Sequence, residues 1–448
     1  MPRIGCRRYL PGRGIATVRT GGVRPSSPVP RRYVSGGAGS RVRGKPVRTR
    51  PVAALVGFLV VLAGAAVPAG SPAVAEDGGG APWVVSLGDS YISGEAGRWA
   101  GSSNESTSYA DALGPTAYYD NPAGTGETIE GCHRSKSAEI YLGGSVSGLN
   151  LACSGAATTT STSSDGDFKP GLDFFDDGAG RLGQAALLET FAATQDVDLV
   201  VVSIGGNDFE FADVVQTCIL NFLTSPEFWP NYCSDDDEVE ALFADDHRAL
   251  VQSKIVTGLR NVRTAMRGAG YGDRDWTLLV QTYPSPIPRG SGFRYSQSGY
   301  VRQEVGGCGF WNRDADWAND TALPVINETV KKAVRKSRLV NTKVLDLSHA
   351  FDGRRLCEST VGLYEEVGLT SWTQPGAVDR TEWINQVRTL TGLFPPYQLQ
   401  EGLHPNYWAQ LATRSCLRQA YGDGDVRGGT CRIKGTGLVD GEPRMKLR

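Results

Sequence analysis

The chain has 448 residues, enough for two or three domains of ordinary size or for one large domain with insertions. Its 40% hydrophobic and 21% charged residues are typical of a globular protein and exclude disorder along the whole chain. Charge is uneven, because residues 1–50 contain 13 Lys and Arg and no acidic residue. Residues 76–448 therefore hold 33 basic and 48 acidic side chains, a net charge of about -15, which argues against nucleic-acid binding.

The N-terminal residues 1–75 have the pattern of a targeting segment. Basic residues between Arg41 and Arg50 precede an uncharged run from Pro51 to Gly70, and Ala73-Val74-Ala75 supplies the small residues of a cleavage site. We predict an N-terminal extension and signal peptide cleaved near Ala75, followed by one secreted domain with insertions over residues 76–448. The alternative is a retained membrane anchor, since the apolar run approaches the ~20 residues that span a bilayer.

Cysteine usage agrees with export. One of nine cysteines lies in the predicted extension, which leaves an even number, as in disulfide-bonded exported proteins. Neighbours in sequence are separated by turn-rich stretches, so we predict sequential pairing. The predicted pairs are Cys132 with Cys153, Cys218 with Cys233, Cys308 with Cys357, and Cys416 with Cys431. Zinc is the competing interpretation, but these cysteines and the four histidines lack the usual ligand spacing, so no metal is predicted.

Apolar runs without polar alternation predict strands of a parallel sheet covered on both faces. Four such runs and a weaker fifth occupy 83–87, 198–204, 276–283, 342–347 and 149–152. Between them, residues such as Ile255, Leu259 and Val262 recur at helical spacing. This alternation predicts a doubly wound α/β sandwich that binds ligands at the carboxyl ends of its strands. Surface loops or lids are predicted over 155–180, 222–237, 284–313 and 358–400.

The candidate chemistry begins at Gly88-Asp89-Ser90, directly after a predicted strand. A serine there can lie on a tight turn that exposes its hydroxyl at the edge of the sheet. Attack by this hydroxyl on an ester creates an oxyanion, which needs preorganised N–H donors. The backbone amides of Ser90 and Gly155 and the side-chain amide of Asn207 are the predicted donors.

A serine needs a base, and the chain offers four histidines. His133 and His247 lie in a loop between cysteines and in a charged helical stretch, and are predicted to be structural or solvated. His349 follows Asp346 by three residues, whereas His404 precedes a predicted helix over 407–421. Spacing alone leaves His349 and His404 as competing bases.

Four ordered motifs resemble those of the SGNH, or GDSL, hydrolase family. They are Gly88-Asp89-Ser90, Gly155 within Ala152 to Ala156, Gly206-Asn207-Asp208, and His404-Pro405-Asn406. The resemblance spans about residues 83–421 and is nearest to the secreted actinobacterial esterases and lipases. It implies a flavodoxin-like three-layer α/β/α sandwich with loop insertions, and hydrolysis of carboxylic esters without a cofactor.

The resemblance also implies individual roles. Ser90 is the expected nucleophile, His404 the base, and Ser90, Gly155 and Asn207 the oxyanion hole. Asp89 and Asp208 are expected to cap turns and hold loops. The family commonly has Asp three residues before the histidine, where this chain has Glu401. We predict that Glu401 orients His404, with a backbone carbonyl as the alternative orienting group.

The predicted function is therefore a secreted ester hydrolase that forms an acyl-enzyme on Ser90. Expected partners are a small-molecule or lipid ester, with transient contact to a lipid interface, and the protein is expected to be a monomer. The alternatives are a carbohydrate esterase that deacetylates polysaccharide, or a catalytically silent binding protein of the same fold. Aromatic residues could line a sugar platform, although core packing is favoured for them; they are Tyr91, Trp99, Trp229, Trp311 and Trp408.

Overall fold

A computed structural model of the chain describes residues 81–388 and 399–448. Its strands are β1 (Trp83–Gly88), β2 (Ser147–Asn150), β3 (Ser161–Thr162), β4 (Phe168–Lys169), β5 (Val197–Ser203), β6 (Thr277–Gln281), β7 (Thr342–Asp346), β8 (Gly429–Val439) and β9 (Glu442–Leu447). Its α-helices are α1 (Ser90–Ser93), α2 (Gln184–Ala192), α3 (Phe211–Thr224), α4 (Asp237–Leu242), α5 (Asp245–Gly268), α6 (Val301–Glu304), α7 (Asn312–Trp317), α8 (Leu323–Ser337), α9 (Ala377–Arg380) and α10 (Tyr407–Tyr421). The predicted extension, signal peptide and cleavage site lie outside the described residues, so the division at Ala75 stays a prediction.

The main sheet has the strand order β2-β1-β5-β6-β7-β8-β9 within the described residues. All pairings are parallel except the last, where β8 and β9 form an antiparallel hairpin. When the five strands β1, β2, β5, β6 and β7 are numbered in chain order, they follow the 2-1-3-4-5 order of flavodoxin-like folds. All five predicted strands are present, and the predicted α/β sandwich is confirmed.

Alternating side chains of the central strands face two separate cores. On one face, Val200 and Val202 of β5 pack with buried residues of α2, α5 and α8. On the other face, Leu199 and Val201 pack with α10, part of α3 and the long connections. Strands buried on both faces explain the absence of polar alternation in the sequence. The result is a three-layer arrangement in which the helices cover the faces of the sheet and leave the carboxyl ends of its strands available for a site.

Four disulfides tie the long connections to this frame. The bonded pairs are Cys132–Cys153, Cys218–Cys233, Cys308–Cys357 and Cys416–Cys431, which are the four pairs predicted from the sequence. Because these cysteines are bonded to one another, they are not available as zinc ligands.

No helix within residues 81–388 and 399–448 is both long and apolar enough to cross a bilayer.

Candidate active site

The side chains of Ser90 and His404 meet at the carboxyl edge of the sheet. The Ser90 Oγ lies 2.7 Å from Nε2 of His404, although 314 residues separate them in sequence. Ser90 is the first residue of α1, directly after β1, and His404 lies just before α10. The structure therefore brings together the predicted nucleophile and one of the two competing bases.

The turn that holds Ser90 depends on the glycine before it. Gly88 has a φ of 136°, and a Cβ there would lie 1.9 Å from the carbonyl oxygen of Ser203 at the end of β5. Only glycine tolerates both this backbone conformation and this close approach. Asp89 then caps α1, because its Oδ1 accepts a hydrogen bond from the Tyr91 amide at 3.1 Å.

His404 is fixed by backbone groups. Its Nδ1 lies 3.0 Å from the carbonyl oxygen of Gly402, which can only accept, so Nδ1 carries the proton and Nε2 faces Ser90 as an acceptor. The Tyr91 hydroxyl donates to the neighbouring carbonyl of Leu403 at 3.1 Å. Asn406 holds the other side of the loop, since its side chain caps α10 and donates to the backbone carbonyl of Glu382 at 2.7 Å. This tautomer is the one that a base for Ser90 needs.

The structure differs from the prediction that the Glu401 carboxylate orients His404. Glu401 is buried, and its two oxygens accept hydrogen bonds from Trp99 Nε1 at 2.8 Å and from the Tyr118 hydroxyl at 2.6 Å. The carboxylate is thus directed into the protein, and the Nδ1 partner is Gly402. The physical reason is that buried Trp99 and Tyr118 need an acceptor, and the carbonyl two residues before His404 is already in place.

Burial lowers the pKa of His404 below its ordinary 6.5. The attraction of buried Glu95 and the carbonyls of Gly402 and Gln400 oppose this effect, while the charge of His133 adds to it. His404 is therefore neutral at neutral pH, the protonation state in which it can accept the Ser90 proton. Sequence patterns gave no indication of the buried pair formed by Glu95 and His133.

The predicted oxyanion donors line the same cavity as Ser90 and His404. Gly155 follows β2 and has a φ of 79°, so glycine is favoured in this loop. Asn207 follows β5, and its Nδ2 donates one hydrogen bond to the Ala156 carbonyl at 2.9 Å. An amide nitrogen has two hydrogens, so a second remains for a ligand. Within the described residues, the Ser90 and Gly155 amides have no acceptor in the protein.

Two aspartates of the motifs hold these loops, as predicted. Asp208 accepts from the amide and the hydroxyl of Thr158, at 2.9 and 2.8 Å, and so links the Asn207 and Gly155 loops. Asp89 accepts from the hydroxyl of Tyr283, which in turn accepts from the Gly206 amide at 2.9 Å. Burial raises the pKa of Asp89 to about 7. Tyr283 was missed from the sequence, although it follows β6 at the same edge of the sheet.

Beside these polar groups lies a cavity of about 520 Å³ with a mainly apolar lining. One wall is a stripe along α3, formed at four-residue spacing by Phe211, Val215, Ile219 and Leu223. Further apolar walls come from Pro284, Pro286, Leu323, Ile326, Val387 and Leu403. The arrangement can hold an apolar group against Ser90.

The other three histidines lie elsewhere. His349 is half exposed and pairs through Nδ1 with Asp352 at 2.9 Å, whereas Asp346 bonds to Thr282 and Lys331. The Nε2 of His247 lies 3.1 Å from the Asp208 carbonyl. His133 is buried, and its Nδ1 lies 2.7 Å from Glu95. It has a structural role, as one of the two predicted alternatives stated, and is not solvated. None of the three lines the cavity in the described part of the chain.

The aromatic residues considered for a sugar platform do not form one, and three of them have the core packing that the sequence favoured. Trp99, Trp311 and Trp408 are buried, and Tyr91 lies in the cavity wall with its hydroxyl bonded to Leu403. Trp229 is 78% exposed on a separate loop. No group of His, Cys, Asp and Glu suited to a metal ion occurs in residues 81–388 and 399–448.

No protein-family profile matches the chain. Lipase 1 of Streptomyces coelicolor is 32% identical over 174 residues, which are 37% of this chain and 46% of that protein. The chain thus matches about half the length of this curated relative.

Among solved structures, phospholipase A1 of Streptomyces albidoflavus is 20% identical, with coverage of 74% of this chain and 94% of that chain, at a TM-score of 0.40. The extracellular lipase of Streptomyces rimosus is 18% identical, with coverage of 74% and 95%, at a TM-score of 0.34. Identities and TM-scores this low do not establish a function, which is therefore inferred from the site of this chain.

Proposed function

We propose that this chain, which has the fold and the four ordered motifs of the SGNH hydrolases, is a secreted serine ester hydrolase of the esterase or lipase type. The observation that supports this most directly is the 2.7 Å contact between Ser90 Oγ and the unprotonated Nε2 of His404 in the wall of an apolar cavity. A serine next to an oriented neutral imidazole is the arrangement of an activated nucleophile.

In the proposed reaction, Ser90 Oγ attacks the ester carbonyl carbon while His404 takes the hydroxyl proton. The negative charge on the carbonyl oxygen is stabilised by the amides of Ser90 and Gly155 and by the side chain of Asn207. His404 then protonates the departing alcohol, which leaves the acyl group on Ser90. Water, deprotonated by His404, attacks the acyl carbon; the bond to Ser90 Oγ breaks, His404 returns the proton to Oγ, and the carboxylic acid is released.

His404 and Ser90 act here as a dyad. The Gly402 carbonyl maintains the tautomer and ring orientation that a carboxylate provides in a triad. Glu401 supports the site indirectly, because its carboxylate anchors the chain just before His404 to Trp99 and Tyr118. Its role is therefore in positioning and stability.

The lining of the cavity favours an acyl chain over a sugar. The α3 stripe extends over the 12 residue steps from Phe211 to Leu223, about 18 Å at 1.5 Å per residue, and its four members are all apolar. A polysaccharide needs hydrogen-bonding groups and exposed rings. We therefore place esters of apolar acyl chains ahead of acetylated carbohydrate as substrates.

We further propose that the protein is exported and acts as a monomer. The segment Pro51 to Ala75 has the pattern of a signal peptide, and four disulfides suit an oxidising compartment. The substrate would then be met outside the cell.

The test is hydrolysis of a chromogenic short-chain ester by the wild type and four variants. Ser90→Ala and His404→Ala should each lower kcat by about 10⁴-fold or more, with little further loss in the double variant, since the two residues act as one unit. The matched control is His349→Ala, which should retain wild-type kcat. Loss of activity in the control, with activity kept in His404→Ala, would reverse the assignment of the base. Absence of turnover by the wild type would favour a silent binding protein.

The substrate class is tested with a panel of esters from acetyl to palmitoyl, a phospholipid and acetylated xylan. The lining of the cavity predicts a higher kcat/KM for acyl chains longer than acetyl. A preference for acetylated xylan would favour the carbohydrate esterase instead.

A further inference from the structure

Two aromatic side chains protrude from a loop that follows α3. Phe228 is 87% exposed and Trp229 is 78% exposed, the highest values among the large hydrophobic side chains of the described residues. Single exposed apolar residues are ordinary, but exposing two adjacent aromatic residues to water is unfavourable in free energy unless something covers them.

The loop that carries them is braced. Its far end is tied back to α3 by the disulfide between Cys233 and Cys218, a residue within the helix, whose Cα atoms are 4.8 Å apart. Within it, the Ser225 hydroxyl donates to the Asn221 carbonyl and accepts from the Asn231 amide at 2.9 Å. The Trp229 amide also closes a turn onto the Pro226 carbonyl at 2.9 Å. The two rings are therefore held outward by a defined backbone.

The same helix connects this loop with the candidate active site. Leu220 lines the cavity and is also 49% exposed, so the apolar wall of the cavity reaches solvent on α3. Leu220 is two residues from Cys218, to which Cys233 is bonded, and Trp229 is only four residues before Cys233. Four residues of chain span at most about 14 Å. The loop that carries the exposed rings is thus tethered to the segment of α3 that bears Leu220.

The charges around the loop restrict what can cover it. Glu227 precedes Phe228, and acidic residues continue from Asp235 to Glu238, with Arg313 paired to Asp235 at 2.5 Å. A surface of anionic lipid attracts basic segments and would repel this one. Aromatic rings, in contrast, favour the boundary between lipid headgroups and hydrocarbon.

We propose that Phe228 and Trp229 form a docking tip that inserts into the surface of a zwitterionic phospholipid bilayer, which has no net charge. The inference rests on the proposed ester hydrolysis only for its purpose, which is to bring a lipid ester to the mouth of the cavity. Docking itself requires no turnover.

The test uses the Ser90→Ala protein, which binds without consuming the lipid, and vesicles of phosphatidylcholine. The double variant Phe228→Ser/Trp229→Ser should sediment with vesicles about tenfold or more weakly, the effect of losing at least one buried aromatic ring. Leu438→Ser/Val439→Ser, a pair of half-exposed apolar residues in the β8–β9 hairpin, is the matched control and should bind like its parent.

Two further measurements separate docking from catalysis and from self-association. With Ser90 intact, the tip variant should hydrolyse a dissolved short-chain ester at the wild-type rate and vesicle lipid more slowly. Equal vesicle binding by tip variant and parent overturns the proposal, as does an equal loss in the control. A dimer in sedimentation velocity that the tip variant dissociates also overturns it, because a second copy would then be the partner. Failure to hydrolyse any ester contradicts the proposed function and leaves the binding result intact.

Discussion

The carbonyl oxygen of Gly402 accepts the Nδ1 proton of His404 at 3.0 Å, the position at which a triad has a carboxylate. A carbonyl fixes the tautomer but contributes no full negative charge beside the imidazolium that forms during attack. The buried charges that act on the pKa of His404 are those of Glu95 and His133. Orientation and charge stabilisation are therefore provided by different residues.

Replacing Glu401 separates a catalytic from a supporting role. Glu401→Gln should retain more than half of wild-type kcat, because Gly402 still holds His404. The free energy of unfolding should fall by about 1–3 kcal/mol, since Trp99 and Tyr118 donate to different oxygens of Glu401 and the amide replaces one of these acceptors by an NH2 donor. Steady-state kinetics on a soluble ester and urea unfolding measure the two effects. A large loss of kcat with unchanged stability would restore the carboxylate triad.

Asn207 is expected to interact with charge that exists only in the transition state. Asn207→Ala should therefore lower kcat by about 10² to 10³-fold with little change in KM. Thr158→Val is the control, since it removes a hydrogen bond from Asp208 in the same pair of loops and no donor of the proposed oxyanion hole. Equal losses in both variants would attribute the effect to loop geometry.

The pair Glu95 and His133 should shift the pH dependence, whose main determinant is the burial of His404. Activity requires neutral His404, so the acid limb of kcat/KM should lie below pH 6.5, the ordinary pKa that burial lowers. The attraction of Glu95 raises the pKa of His404, so Glu95→Gln should move the limb to lower pH. Burial lowers the pKa of His133, but the hydrogen bond to Glu95 and the combined attraction of Glu95, Glu127 and Glu401 raise it to about 9, so His133 is charged at neutral pH.

The matched variant His133→Gln should shift the profile in the opposite direction. It removes a positive charge that lowers the pKa of His404, so the acid limb should move to higher pH. Shifts of the same sign in both variants would contradict an electrostatic role for the pair.

Disulfide removal should follow loop length. Replacing Cys218 and Cys233 by serine opens a 15-residue separation and should cost about 3 kcal/mol in the chain-entropy model. Replacing Cys308 and Cys357 opens a 49-residue separation and should cost about 4 kcal/mol. Denaturant unfolding of the two variants gives both values. A larger loss for the shorter loop would show that native packing dominates over loop closure.

Much of the central frame could be predicted because buried parallel strands are continuous apolar runs. Val197–Ser203 and Trp83–Gly88 could be located in this way, and each is followed by a glycine-containing turn with a polar side chain. The β8–β9 hairpin was missed, since β8 is exposed along much of its length and interrupted by Gly435 and Gly437. Exposed antiparallel hairpins lack the apolar pattern that identifies buried strands.

Within the site, side chains could be predicted and backbone groups could not. Ser90 and Asn207 carry their chemistry in their residue type, whereas the role of Gly402 belongs to a carbonyl that every residue has. Glu401 has the expected spacing, but its direction is determined by Trp99 and Tyr118, which are about 300 residues away in sequence. Contacts of such separation become visible only in the folded chain.

The most direct test of the account is covalent trapping of the nucleophile. The purified protein is treated with an alkyl phosphonate ester that phosphonylates activated serines, and intact mass and peptide mass spectra are recorded. The account predicts one adduct per chain on the peptide that contains Ser90, no adduct with Ser90→Ala, and much slower labelling with His404→Ala. An adduct on another residue, or ester hydrolysis that persists at the wild-type rate in Ser90→Ala, would contradict it.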